Sequence, residues 1–358
     1  MHATVRTLLL GTLDEGSPLS RLAGHSDVLQ MIWAHVRRAW ALTKMLTEQE
    51  DVVAFAHIDN VRFPRPSGRY ANMMPFVLDD LTTLPEDLRK AYGPMIERCV
   101  DTLVYEGSGG PRRRRRMSSG SRAPLPDSLR IGYLTVHESD AIAEGTSQRR
   151  PGLHTEGFAY LPCEAGAQRM VSPPYWHAWG FGTSFGPGEF TGGIFMASNV
   201  SNSCHVYNAF VPSELVGAGG DVEHLRPTLE KMMPEPAQPR ARHETGAGGP
   251  DCAYGQAHLR GGGYGYGGSQ PVRGPISVQA GELFWMTDHT PHESRPLLAG
   301  QARSFFRLVT GDVDAWFAAH STPNPLGTLP NARVVTHNKF TGEPPAPPAP
   351  PPPPPPAP

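Results

Sequence analysis

The sequence predicts a mainly β fold, a sandwich or jelly roll with flanking helices. Short alternating apolar runs recur after Arg130, and Gly, Pro, Asn and Asp residues separate them, as in short strands joined by turns. Hydrophobic residues make up 39% of the 358 positions, which is enough for one core. The predicted strands are Ile131 to Val136, Gly193 to Ala197, His205 to Val211, Ile276 to Val278, Leu283 to Met286 and Phe305 to Val309.

The first segment, roughly residues 25–105, is predicted to be mainly helical. Apolar residues between Val28 and Trp40 recur at spacings near three and four, which is typical of an amphipathic helix, and Asp27 is placed as its cap. A second helix is predicted from Pro85 to Leu103, with Tyr92 on its apolar side. We therefore expect an N-terminal helical segment, residues 1–106, that packs on one sheet of a core spanning residues 125–317.

Three segments have compositions that cannot bury a core. Residues 107–124 contain five consecutive arginines, Arg112 to Arg116, and predict a solvated loop, with an anionic contact left open. Residues 234–274 form a flexible insert with the stretch RGGGYGYGG, a weak nucleic-acid signal. The Pro-rich tail is placed at 318–358. Its last fifteen residues contain twelve prolines, which predict a polyproline II segment able to bind SH3- or WW-type partners.

The overall composition excludes several classes of protein. A net charge of −2 removes global basicity as an argument for nucleic-acid binding. Four scattered cysteines form neither a disulfide framework nor a zinc knuckle. No apolar run is long enough to span a membrane, and the N-terminus does not have the pattern of a signal peptide. We expect an intracellular, cytoplasmic protein, with a nuclear or organellar location left open.

Polar residues in the β region form a possible metal site. His154 and Glu156 are two positions apart on an extended segment, so their side chains point the same way. His292 follows a predicted strand and a turn. Two imidazoles and one carboxylate form the facial triad of non-haem iron oxygenases. Arg303 and Arg307 would share one face of the last strand, where inward-pointing guanidinium groups are costly unless an anion meets them.

In this order the residues resemble the Fe(II)/2-oxoglutarate-dependent dioxygenases. That family has a His-x-Asp/Glu pair, a distal His and an Arg about ten to fifteen residues later. Here Arg303 lies eleven residues and Arg307 fifteen residues after His292. The Glu at position 156 departs from the commoner Asp and is similar to the clavaminate synthase-like branch. The resemblance covers residues 130 to 317.

The resemblance implies a double-stranded β-helix core, the jelly roll also found in cupins. It implies that His154, Glu156 and His292 bind Fe(II), and that Arg303, or alternatively Arg307, anchors the co-substrate 2-oxoglutarate. With O2, such a site hydroxylates a substrate and releases succinate and CO2. The substrate, a small molecule or a side chain, is left open, and no membrane partner is expected.

Several alternatives remain at this point. His289 is a rival for the distal ligand, and Asp288 is expected to orient a ligand from outside the site. The stretch containing Trp176, His177 and Trp179 is either a pocket wall or a packed aromatic plug. Arg149 and Arg150 meet either an anionic substrate group or solvent.

Two other functions stay open as well. The chain is alternatively a catalytically inert, cupin-like binding or scaffold protein that recruits partners through its Pro-rich tail. It is also compatible with a mononuclear iron oxygenase that needs no 2-oxoglutarate.

Overall fold

A computed structural model describes residues 26–47, 53–107, 110–112, 130–160, 175–232 and 275–338. Within these ranges the fold is mainly antiparallel β-sheet with few helices. The helices are α1 (Ser26–Thr47), α2 (Glu86–Asp101) and α3 (Arg226–Met232). None of the helices in these ranges is long and apolar enough to cross a membrane. Most of the basic loop, the 234–274 insert and the end of the tail lie outside the described residues.

The strands are short and follow one another closely along the chain. They are β1 (Phe55–Asn60), β2 (Tyr70–Val77), β3 (Tyr105–Gly107), β4 (Gly110–Arg112), β5 (Ile131–Ser139), β6 (Phe158–Tyr160), β7 (Tyr175–His177), β8 (Thr183–Gly186), β9 (Glu189–Thr191), β10 (Ile194–Ser198), β11 (Cys204–Val206), β12 (Ile276–Ser277), β13 (Glu282–Met286), β14 (His292–Ser294), β15 (Arg303–Val309), β16 (Ala315–Phe317) and β17 (Arg333–Val335).

Two of the sheets build the core. The main sheet has six antiparallel strands in the order β1-β13-β10-β15-β5-β2. The small sheet has the order β12-β11-β14, and a single bridge between His154 and His292 adds one more pairing at its β14 edge. The strands predicted after residue 130 are all present, but the one predicted from His205 to Val211 covers only Cys204–Val206.

The main sheet is covered on both faces. Along β15, Phe306 and Leu308 face outward into an apolar cluster with α2, and Tyr92 of that helix stacks on Phe306 with ring centroids 6.1 Å apart. Phe305 and Val309 face inward, toward a second cluster shared with the small sheet. Strand side chains alternate between faces, so every second residue of β15 points to the space between the two sheets.

Helix α2 forms as the sequence predicts. Its buried residues follow a helical period, and Glu86 and Asp87 lie in the first turn, where carboxylates favour the positive end of the helix dipole. The buried side includes Leu88, Tyr92 and Ile96, which pack on the outer face of the main sheet. Helix α2 thus packs on the main sheet.

Two predicted boundaries need correction. Residues 55–60 and 70–77, predicted within a mainly helical segment, are the edge strands β1 and β2 of the main sheet. The buried run of β2 is apolar on both faces, so it has no period of two to reveal a strand. Residues 318–338, predicted as part of the tail, continue the folded core, because β17 pairs with β16 in parallel. Such a pairing depends on a distant partner strand.

Candidate active site

His154 and His292 meet between the two sheets. Each backbone N–H donates to the other residue's carbonyl, at 3.0 and 2.9 Å, and the ring centroids lie 4.5 Å apart. The Nδ1 of His154 lies 2.7 Å from the carbonyl of Gly152, and the Nδ1 of His292 lies 3.0 Å from the carbonyl of Thr290. A carbonyl only accepts, so both Nδ1 atoms carry a hydrogen, and in the neutral form of each ring the lone pair is on Nε2.

Glu156 lies beside these imidazoles, with Oε1 at 3.8 Å from Nε2 of His292. Its carboxylate also accepts a hydrogen bond from the Arg307 guanidinium. Burial alone would raise the pKa of Glu156, but Arg307 and the two histidines outweigh it and hold that pKa well below its usual range. Burial, reinforced by His292, keeps the pKa of His154 well below normal. The site is therefore built for one carboxylate and a neutral His154.

Two arginines of β15 extend the site along the inner face of the main sheet. Arg303 is 1% exposed, and its Nε donates to Oγ of Ser198 at 3.2 Å, while Nη1 lies 3.4 Å from Oγ of Ser294. Burial lowers the pKa of Arg303 to about 10. Arg307 donates to Oγ1 of Thr135 at 3.2 Å, and its buried Nε has no hydrogen-bond partner among the described residues. Each arginine thus retains donors for a further acceptor.

One cavity joins all five predicted site residues. It has a volume of about 660 Å³, and its wall includes His154, Glu156, His292, Arg303 and Arg307. Ligand sites of small molecules typically occupy about 300–1,000 Å³. The structure therefore brings together residues that lie far apart in the sequence.

The donor types, two imidazoles and one carboxylate, are those of a single metal site, but the side chains are not arranged around one point. Within the described ranges, no three His, Cys, Asp or Glu side chains form a ready-made metal site. Metal–ligand distances of about 2.0–2.2 Å place two donors on one ion about 3–4 Å apart. The 3.8 Å between Glu156 and His292 lies within that range. Glu156 also bonds the Arg307 guanidinium, so a metal ion would compete with that ion pair for the carboxylate.

His289, the rival ligand, occupies a different environment. Its ring is stacked between Trp176 and Phe210, each with a centroid distance of 4.1 Å, and its Nδ1 lies 2.7 Å from the carbonyl of Val211. Burial lowers the pKa of His289 to about 4. His289 is absent from the cavity wall, whereas His292 forms part of it. The structure thus favours His292 over His289 as the distal histidine.

Asp288 braces the loop that carries Glu156. Its backbone carbonyl accepts from the N–H of Gly157 at 2.9 Å, and its Oδ2 accepts from the N–H of Trp179 at 2.9 Å. Burial raises the pKa of Asp288 to about 7. Asp288 acts on the candidate site from outside, through backbone groups next to Glu156 and in the cavity wall.

The aromatic stretch after residue 175 serves both roles weighed from the sequence. Trp179 is part of the cavity wall, while Trp176 packs outside it against a neighbouring apolar cluster. His177 stacks on Phe158 with centroids 4.9 Å apart. A Cβ on Gly157 would lie 2.0 Å from Cζ2 of Trp176, so only glycine fits beside this ring. The close approach of Trp176 explains the glycine that follows Glu156.

Sequence reasoning missed the wall that β2 contributes. A bulge between Ala71 and Met74 gives Met73 a φ of +49° and directs it to the inner face. The N–H of Met73 donates to Oγ1 of Thr135 at 3.0 Å, which ties the bulge to β5. An apolar run without alternation carries no signal for such a bulge.

A comparison of the chain with protein-family models, curated proteins and solved structures finds no match in any of the three. The functional argument therefore depends on the geometry of the site.

Proposed function

We propose that this protein is a non-haem Fe(II)/2-oxoglutarate-dependent dioxygenase on a double-stranded β-helix core. The observation that carries the proposal is the cavity that joins His154, Glu156 and His292 to Arg303. Such an oxygenase requires two imidazoles, one carboxylate and a buried guanidinium, and all four groups line this cavity.

The order of the strands supports the core. Along the chain, β5 lies in the main sheet, the His154 bridge in the small sheet, β10 in the main sheet, and β11 and β12 in the small sheet. Then β13 lies in the main sheet, β14 in the small sheet and β15 in the main sheet. Eight pairing segments that alternate in this way between two facing antiparallel sheets are typical of a jelly roll.

In the proposed site, each ligand is held in its productive state by neighbouring groups. The carbonyls of Gly152 and Thr290 hold a hydrogen on Nδ1 of each imidazole, which leaves Nε2 as the ligand atom of the neutral ring. The Arg307 guanidinium keeps Glu156 ionised. When bound, Fe(II) and 2-oxoglutarate supply, with O2, an oxidative decarboxylation to succinate and CO2 that is coupled to substrate oxidation.

Arg303 is the better candidate for the 2-oxoglutarate anchor. It pairs with no carboxylate in the described part of the chain. Its guanidinium group donates to the hydroxyls of Ser198 and Ser294 at the cavity wall. Arg307 already bonds Glu156. A buried, unpaired guanidinium is costly without an anion, and the distal carboxylate of 2-oxoglutarate meets that need.

The Glu156–Arg307 ion pair also favours a second candidate, an inert cupin-like barrel. A carboxylate held by a guanidinium needs no metal, and the described residues contain no ready-made metal group. Such a barrel would bind a ligand in the same cavity without turnover. Metal binding therefore separates the two functions.

The test uses the full chain. Under anaerobic conditions, Fe(II) and 2-oxoglutarate binding is followed by visible absorption, and succinate is measured after O2 is admitted. We expect an absorption band and succinate release by the wild-type protein and neither by His154→Ala. His205→Ala is the matched control, because this half-buried histidine pairs with Glu293 rather than lining the cavity. Equal succinate from wild type and His154→Ala would remove the assignment.

A further inference from the structure

We infer that the cavity takes a second oxyanion besides 2-oxoglutarate, a substrate bearing a carboxylate, sulfonate or phosphate group that Arg149 recognises. This inference rests on the proposed function, because it assigns the substrate class of the same site. It is carried by the position of Arg149, the charge of the cavity and the room left in it.

Arg149 is held in place by its own segment. The side-chain amide of Gln148, the preceding residue, donates to the carbonyl of His137 at 3.1 Å and to Oγ of Ser139 at 3.0 Å. Oγ of Ser147 donates to the carbonyl of Arg149 at 2.8 Å. The segment is thus pinned to strand β5, which fixes the direction from which Arg149 enters the cavity.

The Arg149 guanidinium lies beside the candidate site, and the residue keeps part of its surface exposed to solvent. Its Cζ lies 5.0 Å from the ring centroid of Phe305, and Arg149 forms part of the cavity wall. Burial, with the charge of Arg307 nearby, lowers the pKa of Arg149 to about 10. Among the described residues, no carboxylate is hydrogen-bonded to Arg149. Arg149 is therefore half-buried at the cavity wall, where a ligand in the cavity can meet it.

The cavity wall carries four guanidinium groups and one carboxylate, an excess of three positive charges before any ligand binds. The guanidinium groups belong to Arg149, Arg150, Arg303 and Arg307, and the carboxylate belongs to Glu156. A divalent metal adds two charges and dianionic 2-oxoglutarate removes two, so the excess remains. Uncompensated charge in a partly desolvated cavity is unfavourable unless a further anion enters.

The positions of the arginines divide this excess between two ligands. Arg303, with Ser198 and Ser294, is assigned to 2-oxoglutarate. Arg307 uses one donor on Glu156 but keeps its buried Nε without a partner in the described ranges, and it lines the same cavity as Arg149. We therefore assign the second oxyanion to Arg149, with the free Nε of Arg307 as a further donor.

The size of the cavity agrees with two ligands. Its volume of about 660 Å³ lies well inside the usual range for small-molecule sites, and a five-carbon dianion fills only part of it. The neutral polar residues Asn72 and Thr322 also line the wall. Guanidinium forks and neutral donors recognise planar and tetrahedral oxyanions alike, so the three acids are treated as one class.

The experiment measures anion binding to full-length protein loaded anaerobically with Fe(II) and 2-oxoglutarate. Butanoate, propanesulfonate and propyl phosphate are titrated by calorimetry, with neutral butanamide as the matched probe. We expect at least one of the three anions to bind about tenfold tighter than butanamide, since a charge-assisted hydrogen bond contributes about that factor. Comparing the three anions shows whether the site prefers a carboxylate, a sulfonate or a phosphate group.

Three substitutions test the location of the site. Arg149→Gln is expected to weaken the preferred anion about tenfold and to leave 2-oxoglutarate affinity within about twofold. Arg295→Gln, a matched loss of charge at a half-exposed residue outside the cavity, is expected to change neither affinity. Arg149→Lys keeps the charge and should retain most of the preference for anions over butanamide. If Arg149→Gln does not fold, the inference is still tested by the preference of the wild-type protein and of Arg149→Lys for anions over butanamide.

Each result separates this inference from the proposed function. Three outcomes would overturn the inference. They are equal binding of the anions and butanamide, an anion affinity that Arg149→Gln leaves unchanged, and competition between the anion and 2-oxoglutarate. A protein that binds 2-oxoglutarate but does not discriminate anions loses only this inference. A protein that binds the anion through Arg149 but binds no 2-oxoglutarate loses the proposed function and keeps the anion site.

Discussion

The two faces of the main sheet bury polar groups in opposite ways. On the outer face, Glu138 is 6% exposed and fully bonded. It accepts from Oη of Tyr92 at 2.7 Å, from the N–H of Ser67 at 2.7 Å and from the N–H and guanidinium of Arg69 at 3.0 and 3.1 Å. On the inner face, Arg303 and Arg307 are as deeply buried but keep unused donors.

This contrast separates structural polar groups from ligand-binding ones. A buried polar group that serves the fold is satisfied by the fold, because an unmet hydrogen bond costs free energy in every folded molecule. A polar group that binds a ligand must keep hydrogen-bonding capacity unused in the ligand-free protein. Along strand β15 the faces alternate, since Phe306 and Leu308 pack outward in the apolar cluster while Arg303 and Arg307 face the cavity.

The largest expected effect on stability is at the outer face. Phe306→Ala should lower the free energy of unfolding by about 3–5 kcal/mol, because the fully buried ring leaves a void against α2. Chemical denaturation measures the change. Phe305→Ala is the matched control on the inner face. It should lower the free energy of unfolding by a smaller amount, about 1.5–3 kcal/mol, because the removed ring already borders the cavity. Equal losses would contradict the difference between the faces.

An intermediate effect is expected from Glu138→Gln, which should cost about 1–3 kcal/mol at neutral pH by leaving Arg69 and Tyr92 poorly paired. Burial alone would raise the pKa of Glu138, but hydrogen bonds from Ser67, Tyr92 and Arg69 outweigh it and lower that pKa.

The sign of the pH dependence follows from this lowered pKa. The stabilisation by Glu138 is present above the ordinary glutamate pKa of 4.5 and is lost as the pH falls through the lower folded-state value. The stability difference between wild type and Glu138→Gln should therefore shrink below about pH 4.5. Unfolding curves from pH 7 to pH 3 measure it, and a difference that grows on acidification would contradict the account.

The smallest change in stability is expected at Arg303, although the residue is 1% exposed. Arg303→Met should alter the free energy of unfolding by no more than about 1 kcal/mol, because it removes a buried charge that pairs with no carboxylate in the described chain. The same variant should weaken 2-oxoglutarate binding more than about tenfold. A loss of several kcal/mol of stability, with 2-oxoglutarate affinity unchanged, would make Arg303 a structural arginine.

The sequence was most informative where a pattern is local. Helix α2 follows from its helical period, and the inward direction of Arg303 and Arg307 follows from their spacing of four on a strand. It was less informative where a partner is distant. The strands β1 and β2 and the ordered residues 318–338 depend on pairings that no short window shows.

By itself, the sequence determined the types of side chain and their spacing, and so the β-rich class, helix α2 and the five candidate residues. Only the tertiary structure decided which of them share a cavity, that His292 rather than His289 faces it, and that Arg307 holds Glu156 while Arg303 meets no carboxylate among the described residues. The physical reason is that alternation and helical period act over a few residues. The environment of a buried charge, in contrast, depends on whichever strands fold around it.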